Sequence, residues 1–155
     1  GIAMRKLFSA VMLAFFILEL SACSGGTAKN ADLTSAMKKM KEKITNTEMM
    51  DLSSDDLMTE YGIKSGDVKQ FAAYVDSTGT KGDEIVLEQA NSSEAADRKK
   101  LDERYSQKEV EMKDYLPDEY AVLKKCKVNK SGDYISMIVS PQYEELEKIY
   151  KNAFN

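Results

Sequence analysis

The chain has 155 residues, enough for one modest domain and too few for two well-buried ones. It carries 22 Lys+Arg against 26 Asp+Glu, a net charge of −4, with no His and no Trp. A mildly acidic, well-mixed charge pattern argues against a nucleic-acid partner. The absence of His removes the Ser-His-Asp and Cys-His nucleophile systems, His zinc sites and the usual near-neutral proton shuttle. Phosphate-loop, dinucleotide and zinc-ribbon patterns are missing as well, and Lys130-Ser131 are sequence neighbours, a poor geometry for a nucleophile and its base. The expectation is a protein that is not an enzyme and uses neither cofactor nor metal.

Apolar residues are unevenly spread: residues 1–22 supply 16 of 66, which leaves the other 133 residues about 38% apolar. Met4-Arg5-Lys6 is basic, Leu7 to Leu18 is apolar except at Ser9, and Leu20-Ser21-Ala22-Cys23 follows. A basic start, a short apolar core and small residues before a cut site make a signal peptide over residues 4–22. The core is shorter than the ~20 apolar residues of a membrane-spanning helix. Leu20–Cys23 resembles a bacterial lipobox, in which the Cys thiol receives a diacylglyceryl group and becomes the N-terminus after cleavage. Cys23 is thus the expected lipidation site, Glu19 is an unusual neighbour for it, and residues 23–31 read as a lipidated Cys with a flexible tether. The implied location is the extracytoplasmic face of a cell membrane, of Gram-positive type. With Cys23 acylated, Cys126 has no disulfide partner and reads as a small buried apolar side chain; the alternative is a thiol activated by Lys124, Lys125 and Lys127.

Residues 32–155 read as a single domain. Asp32 caps a helix whose apolar face is Leu33, Met37, Met40 and Ile44, with Lys38, Lys39, Lys41 and Lys43 mainly on other faces, a basic surface suited to solvent or to an anionic membrane. Met49–Leu52 reads as a connection. Ser53 or Ser54 caps a second helix that stops at Gly62, and Asp55 and Asp56 suit its first turn. Val68–Asp76 alternates as a strand, with Phe71, Ala73 and Val75 opposite Ala72 and Tyr74. A Gly-bearing loop leads to a second strand, Asp83–Ala90, with Ile85 and Leu87 opposite Glu84, Val86 and Glu88. Asn91–Glu94 has capping-box spacing before a long helix with Leu101, Tyr105, Lys108 and Met112 as its buried stripe. Pro117 starts a short helix through Tyr120 and Leu123. Lys125–Asn129 and Tyr134–Ser140 form a second hairpin, and Tyr143, Leu146, Tyr150 and Ala153 mark a final helix.

Gly82-Asp83-Glu84-Ile85 resembles Gly132-Asp133-Tyr134-Ile135, and each opens a strand that leads into a helix. The order strand–strand–helix occurs twice, consistent either with a ββα duplication or with Gly-Asp as good turn chemistry. Either way the fold class is α+β: about four antiparallel strands in two hairpins, with helices on one face. Ile135, Met137 and Val139 are expected to be buried against Leu101, Tyr105, Leu146 and Tyr150.

Taken in order, the lipobox Leu20–Cys23, the Tyr61-Gly62-Ile63 stop, Asp83-Glu84-Ile85, the long helix into Tyr115-Leu116-Pro117, and Gly132-Asp133-Tyr134 before an apolar strand resemble a family of small lipoproteins from clostridia and related Gram-positive bacteria, domain of unknown function 4358. The resemblance runs over residues 20–155 and implies an exported, anchored, single-domain protein. It carries no activity with it.

Asp83, Glu84, Tyr115 and Tyr134 are the candidate binding residues. If both hairpins enter one sheet in the same sense, Asp83 and Tyr134 meet at one sheet end and Tyr115 reaches its rim. Tyr rings supply contact area at low entropy cost, and the carboxylates favour a cationic or amine-bearing group. Other readings leave Glu84 as a solvent-facing strand residue and the four as unrelated surface positions. The expected partners are the membrane, through the N-terminal lipid, and a protein, peptide or envelope component; the alternative is an accessory solute-binding role for a transporter.

Overall fold

The structure, a computed structural model, describes residues 29–92, 95–96 and 98–154. The leader, Cys23, most of the tether, and Ser93 and Glu94 of the capping box lie outside the described residues.

Asp32 caps α1 (Leu33–Lys41) by accepting from the Ser35 amide, and Leu33, Ala36, Met37 and Met40 are its buried face. Met49–Leu52 is not a connection but an edge strand, β1, paired with the far end of β2. Helix α2 (Asp56–Tyr61) ends at Gly62, whose φ of 68° is the left-handed stop expected there. At its start no side chain caps the helix; the Ser53 and Ser54 carbonyls accept from the Asp56 and Leu57 amides, and the Asp56 carboxylate accepts from the amide and hydroxyl of Ser53. A single 3-10 turn (Ser65–Asp67) leads into β2 (Val68–Asp76). The loop to β3 (Glu84–Ala90) is gathered by the Asp76 carboxylate, which accepts from the Thr78 and Gly79 amides and the Thr78 hydroxyl.

Helix α3 (Lys99–Tyr115) buries Leu101, Lys108 and Met112, the expected stripe, and α4 (Pro117–Leu123) follows with Pro117 in its first turn. The Tyr105 hydroxyl donates to the Leu123 carbonyl at 2.8 Å and so helps close the end of α4. Strand β4 (Val128–Ser131) begins later than the sequence pattern indicates, and Cys126 is tucked just before it. The turn into β5 (Tyr134–Val139) has Gly132 at φ 59°, the positive value that a two-residue hairpin needs at its first loop position. Helix α5 (Tyr143–Asn152) completes the domain.

The class is α+β as expected, with one sheet of five antiparallel strands in the order β1-β2-β3-β5-β4, one strand more than expected. The helices cover both faces rather than one. On the first face α2, α3 and α4 close over Ala73, Val86, Ile135, Met137 and Val139; on the second, α1 and α5 close over Ile85, Leu87 and Ile138. Ile135, Met137 and Val139 therefore meet Leu101 and Tyr105, while Leu146 and Tyr150 pack on the opposite side with Ile138. Every residue of β3 and β5 is buried for this reason. The described core residues all fall between Ala31 and Tyr150.

The two ββα units share an order but not a facing. Their α-helices lie on opposite faces, and Ile85 faces α5 while its counterpart Ile135 faces α3. A rotation that superposed two such units within one antiparallel sheet would keep equivalent side chains on one face, so the Gly-Asp likeness is best accounted for as turn chemistry.

Candidate functional site

Register separates the expected binding residues. Glu84 pairs with Val139, and Gln89 pairs with Tyr134, so Asp83 and Tyr134 lie at opposite ends of the β3–β5 ladder. The hairpins are antiparallel to each other, and the second strand of one starts where the second strand of the other stops. Tyr115 shares the Asp83 end, because Met112, one turn before it, lies against Gly82; a Cβ on Gly82 would come within 2.8 Å of the Met112 methyl. Tyr115 itself is 82% exposed. The four residues do not form one patch.

Glu84 is buried, not solvent-facing. Arg104 grips it through Nε and Nη2 at 3.0 and 2.9 Å, Lys108 Nζ reaches it at 3.2 Å, and the Tyr61 hydroxyl donates at 3.0 Å. Burial works to raise its carboxyl, but Arg104, Lys108 and Tyr61 together more than offset that, and it sits below the ordinary range. Lys108 thus supplies a buried charge as well as an aliphatic stem. Tyr61 is pushed up, by burial first and then by the adjacent Glu84. This cluster fastens α2 and α3 to the first face of the sheet.

Asp83 points the other way from Glu84 and lines a polar cleft of about 390 Å³ with Asn46, Asp76, Thr78 and Glu119. Burial raises its carboxyl, with Glu119 adding to the effect. Among the described residues no group of three or more His, Cys, Asp or Glu is placed to hold a metal. Cys126 is buried, its thiol near the Val122 and Ser140 carbonyls and pushed up by burial, as the packing reading of this residue holds.

Glu88 went unrecognised in the pattern. It shares the Glu84 face of β3 and is buried, yet Oε2 has no hydrogen-bond partner, and burial together with Asp67 brings its carboxyl up to about 7. Strand alternation cannot tell a carboxylate on an open face from one under a helix.

Tyr134 is buried where the chain enters the domain. Its hydroxyl accepts from the Ala31 amide at 3.0 Å and lies 3.3 Å from the Ala31 carbonyl, to which it donates, and its ring meets Phe154 edge-on at 4.8 Å. Ala31 also bridges to Phe154, and its carbonyl accepts from Gln70. Beside this clamp runs a groove of about 730 Å³ between the β4–β5 turn, α5 and the entering chain. Tyr134, Tyr150 and Phe154 form its aromatic wall; Lys29, Lys127, Lys130 and Lys151 surround it, against Asp133 and Glu147. Burial raises Tyr150 to about 12. Burial also raises Glu147, in spite of Lys151 and Lys127 nearby.

A five-stranded antiparallel sheet with helices on both faces and one aromatic, lysine-rimmed groove describes the molecule up to this point. The chain belongs to the family described as domain of unknown function DUF4358, whose model matches residues 42–140. The matched segment holds all five strands, the Glu84 cluster and the β4–β5 turn, and leaves α1 and α5 outside. No curated protein and no solved structure matches the chain.

Proposed function

We propose that the protein is an exported lipoprotein, anchored through Cys23 to the extracytoplasmic face of the membrane, and that it acts as a binding module rather than an enzyme. The observation that carries the anchor is Leu20-Ser21-Ala22-Cys23 behind a 12-residue stretch too short to span a bilayer. Two acyl chains hold a protein far more firmly than one. What favours binding is the groove beside Tyr134, a concave surface with an aromatic wall and a charged rim. Its volume of about 730 Å³ also suits the second reading, an accessory solute-binding lipoprotein for a transporter.

Cys23→Ala tests the anchor. The variant should leave the membrane fraction or stay uncleaved, with no acylated N-terminus in its mass spectrum. A Cys23→Ala protein that remains membrane-bound with a processed N-terminus overturns the lipid reading. A photo-crosslinker at Asn129 separates the two binding readings: adducts with an envelope macromolecule support an interaction module, and a small solute retained in the groove supports the transporter role.

A further inference from the structure

We propose that the groove beside Tyr134 takes the phosphate-bearing headgroups of anionic phospholipid and so seats the domain on its own bilayer; the orientation part of this rests on anchoring through Cys23. The chain as a whole is acidic, at −4, yet four lysines surround this one groove against two carboxylates. Among the described residues, none of Lys29, Lys127, Lys130 and Lys151 forms a close ion pair, although Lys127 and Lys151 act on Glu147 from farther off. Cations in excess of carboxylates at a concave surface attract anions, and the effect is strongest close to a charged bilayer. The position of the groove selects the lipid surface. Lys29 is six residues from Cys23, and a fully extended chain of that length spans at most about 20 Å, so this face cannot stray far from an anchor at Cys23. Tyr134 and Phe154 give the groove an apolar wall of the kind that suits the boundary between headgroup and water. The lysines of α1 are the rival surface: Lys41 is held by Asp51 at 2.6 Å, but Lys38 and Lys39 form no close ion pair among the described residues, so the experiment includes them.

The experiment uses the chain from Cys23 onward without acyl groups, which retains every described core residue, with circular dichroism as a folding control. It should sediment with vesicles of phosphatidylglycerol and phosphatidylcholine, and not with phosphatidylcholine alone. Binding should largely disappear at about 0.5 M salt. Taking each surface lysine as worth about a fivefold gain in affinity, Lys127→Gln/Lys130→Gln should bind roughly thirtyfold more weakly. The charge-matched Lys64→Gln/Lys113→Gln should bind like the parent. The proposal is overturned by equal binding to phosphatidylcholine, by an unaffected Lys127→Gln/Lys130→Gln variant, or by a comparable loss in Lys38→Gln/Lys39→Gln, which would place the contact on α1. Saturable binding of inorganic phosphate without any binding to phosphatidylglycerol vesicles overturns the lipid as occupant. Failure of the anchor would show separately, as an unmodified Cys23 in a protein whose groove still binds vesicles.

Discussion

Glu84 and Lys108 meet at 3.2 Å with side chains only 5% and 4% exposed, one at the start of β3 and the other on the buried stripe of α3. The pair is not isolated, since Arg104 forks onto the same carboxylate and Tyr61 donates to it. A buried carboxylate with this many donors is adequately compensated, and the cost of the arrangement becomes visible when one member is removed.

Glu84→Ala should therefore cost about 3–5 kcal/mol, because Lys108 and Arg104 would be left buried without their anion. Lys108→Met should cost much less, since Arg104 and Tyr61 still satisfy Glu84 and the methionine fills the space of the stem. Urea unfolding of the two variants checks the ordering, and equal losses would show that the stem matters more than the charge. Glu84 is depressed below 4.5 in the folded state, so its stabilising contribution is present above pH 4.5 and is lost as pH falls through the folded value.

Glu88 acts in the opposite direction and in a different pH window. Its folded value of about 7 lies above the ordinary 4.5, so the folded state holds the proton more tightly. Its contribution is fully present below pH 4.5 and is lost as pH rises through about 7. The gap corresponds to something on the order of 3 kcal/mol. Glu88→Gln should be more stable than the parent at pH 8 and nearly equal to it at pH 4.5. Thermal melts at the two pH values decide this, and parallel pH profiles would show that Glu88 is not protonated in the fold.

Ile135→Ala and Ile138→Ala probe the two faces of one strand. Each side chain is fully buried, Ile135 under α3 and Ile138 under α1 and α5, so each truncation should cost roughly 2–5 kcal/mol. A near-neutral Ile138→Ala would mean that the second helical layer contributes little to the core.

Tyr134→Phe removes the hydroxyl that holds Ala31 while keeping the ring against Phe154. Global stability should fall by only about 1 kcal/mol. Hydrogen exchange at the Ala31 amide should accelerate well beyond that of the β3 amides. Unchanged exchange at Ala31 would show that Gln70 and the bridge to Phe154 suffice to hold the chain.

Most elements were legible because each has a local cause: the Asp32 cap, the Gly62 stop, the alternation along Val68–Asp76, the Gly132 turn and the spacing of Leu101, Lys108 and Met112. The strand β1 was not legible, since its four residues have no internal pattern and become a strand only through pairing with β2. The candidate site was legible as residue types but not as a place. Glu84 and Tyr134 both proved structurally engaged, and the groove is assembled from residues as distant as Lys29, Lys127 and Lys151.

Composition and order were enough to determine an α+β class, and to place Ile135, Met137 and Val139 on one face of a strand. These follow from local periodicity, turn chemistry and charge, which act over a few residues. Tertiary packing determined which helices cover which face, and with that the burial of Glu84 and Glu88. It also set the antiparallel register that sends Asp83 and Tyr134 to opposite ends of the sheet. Those outcomes depend on contacts between elements far apart in the chain, where an alternating strand reads identically whether one face is covered or both.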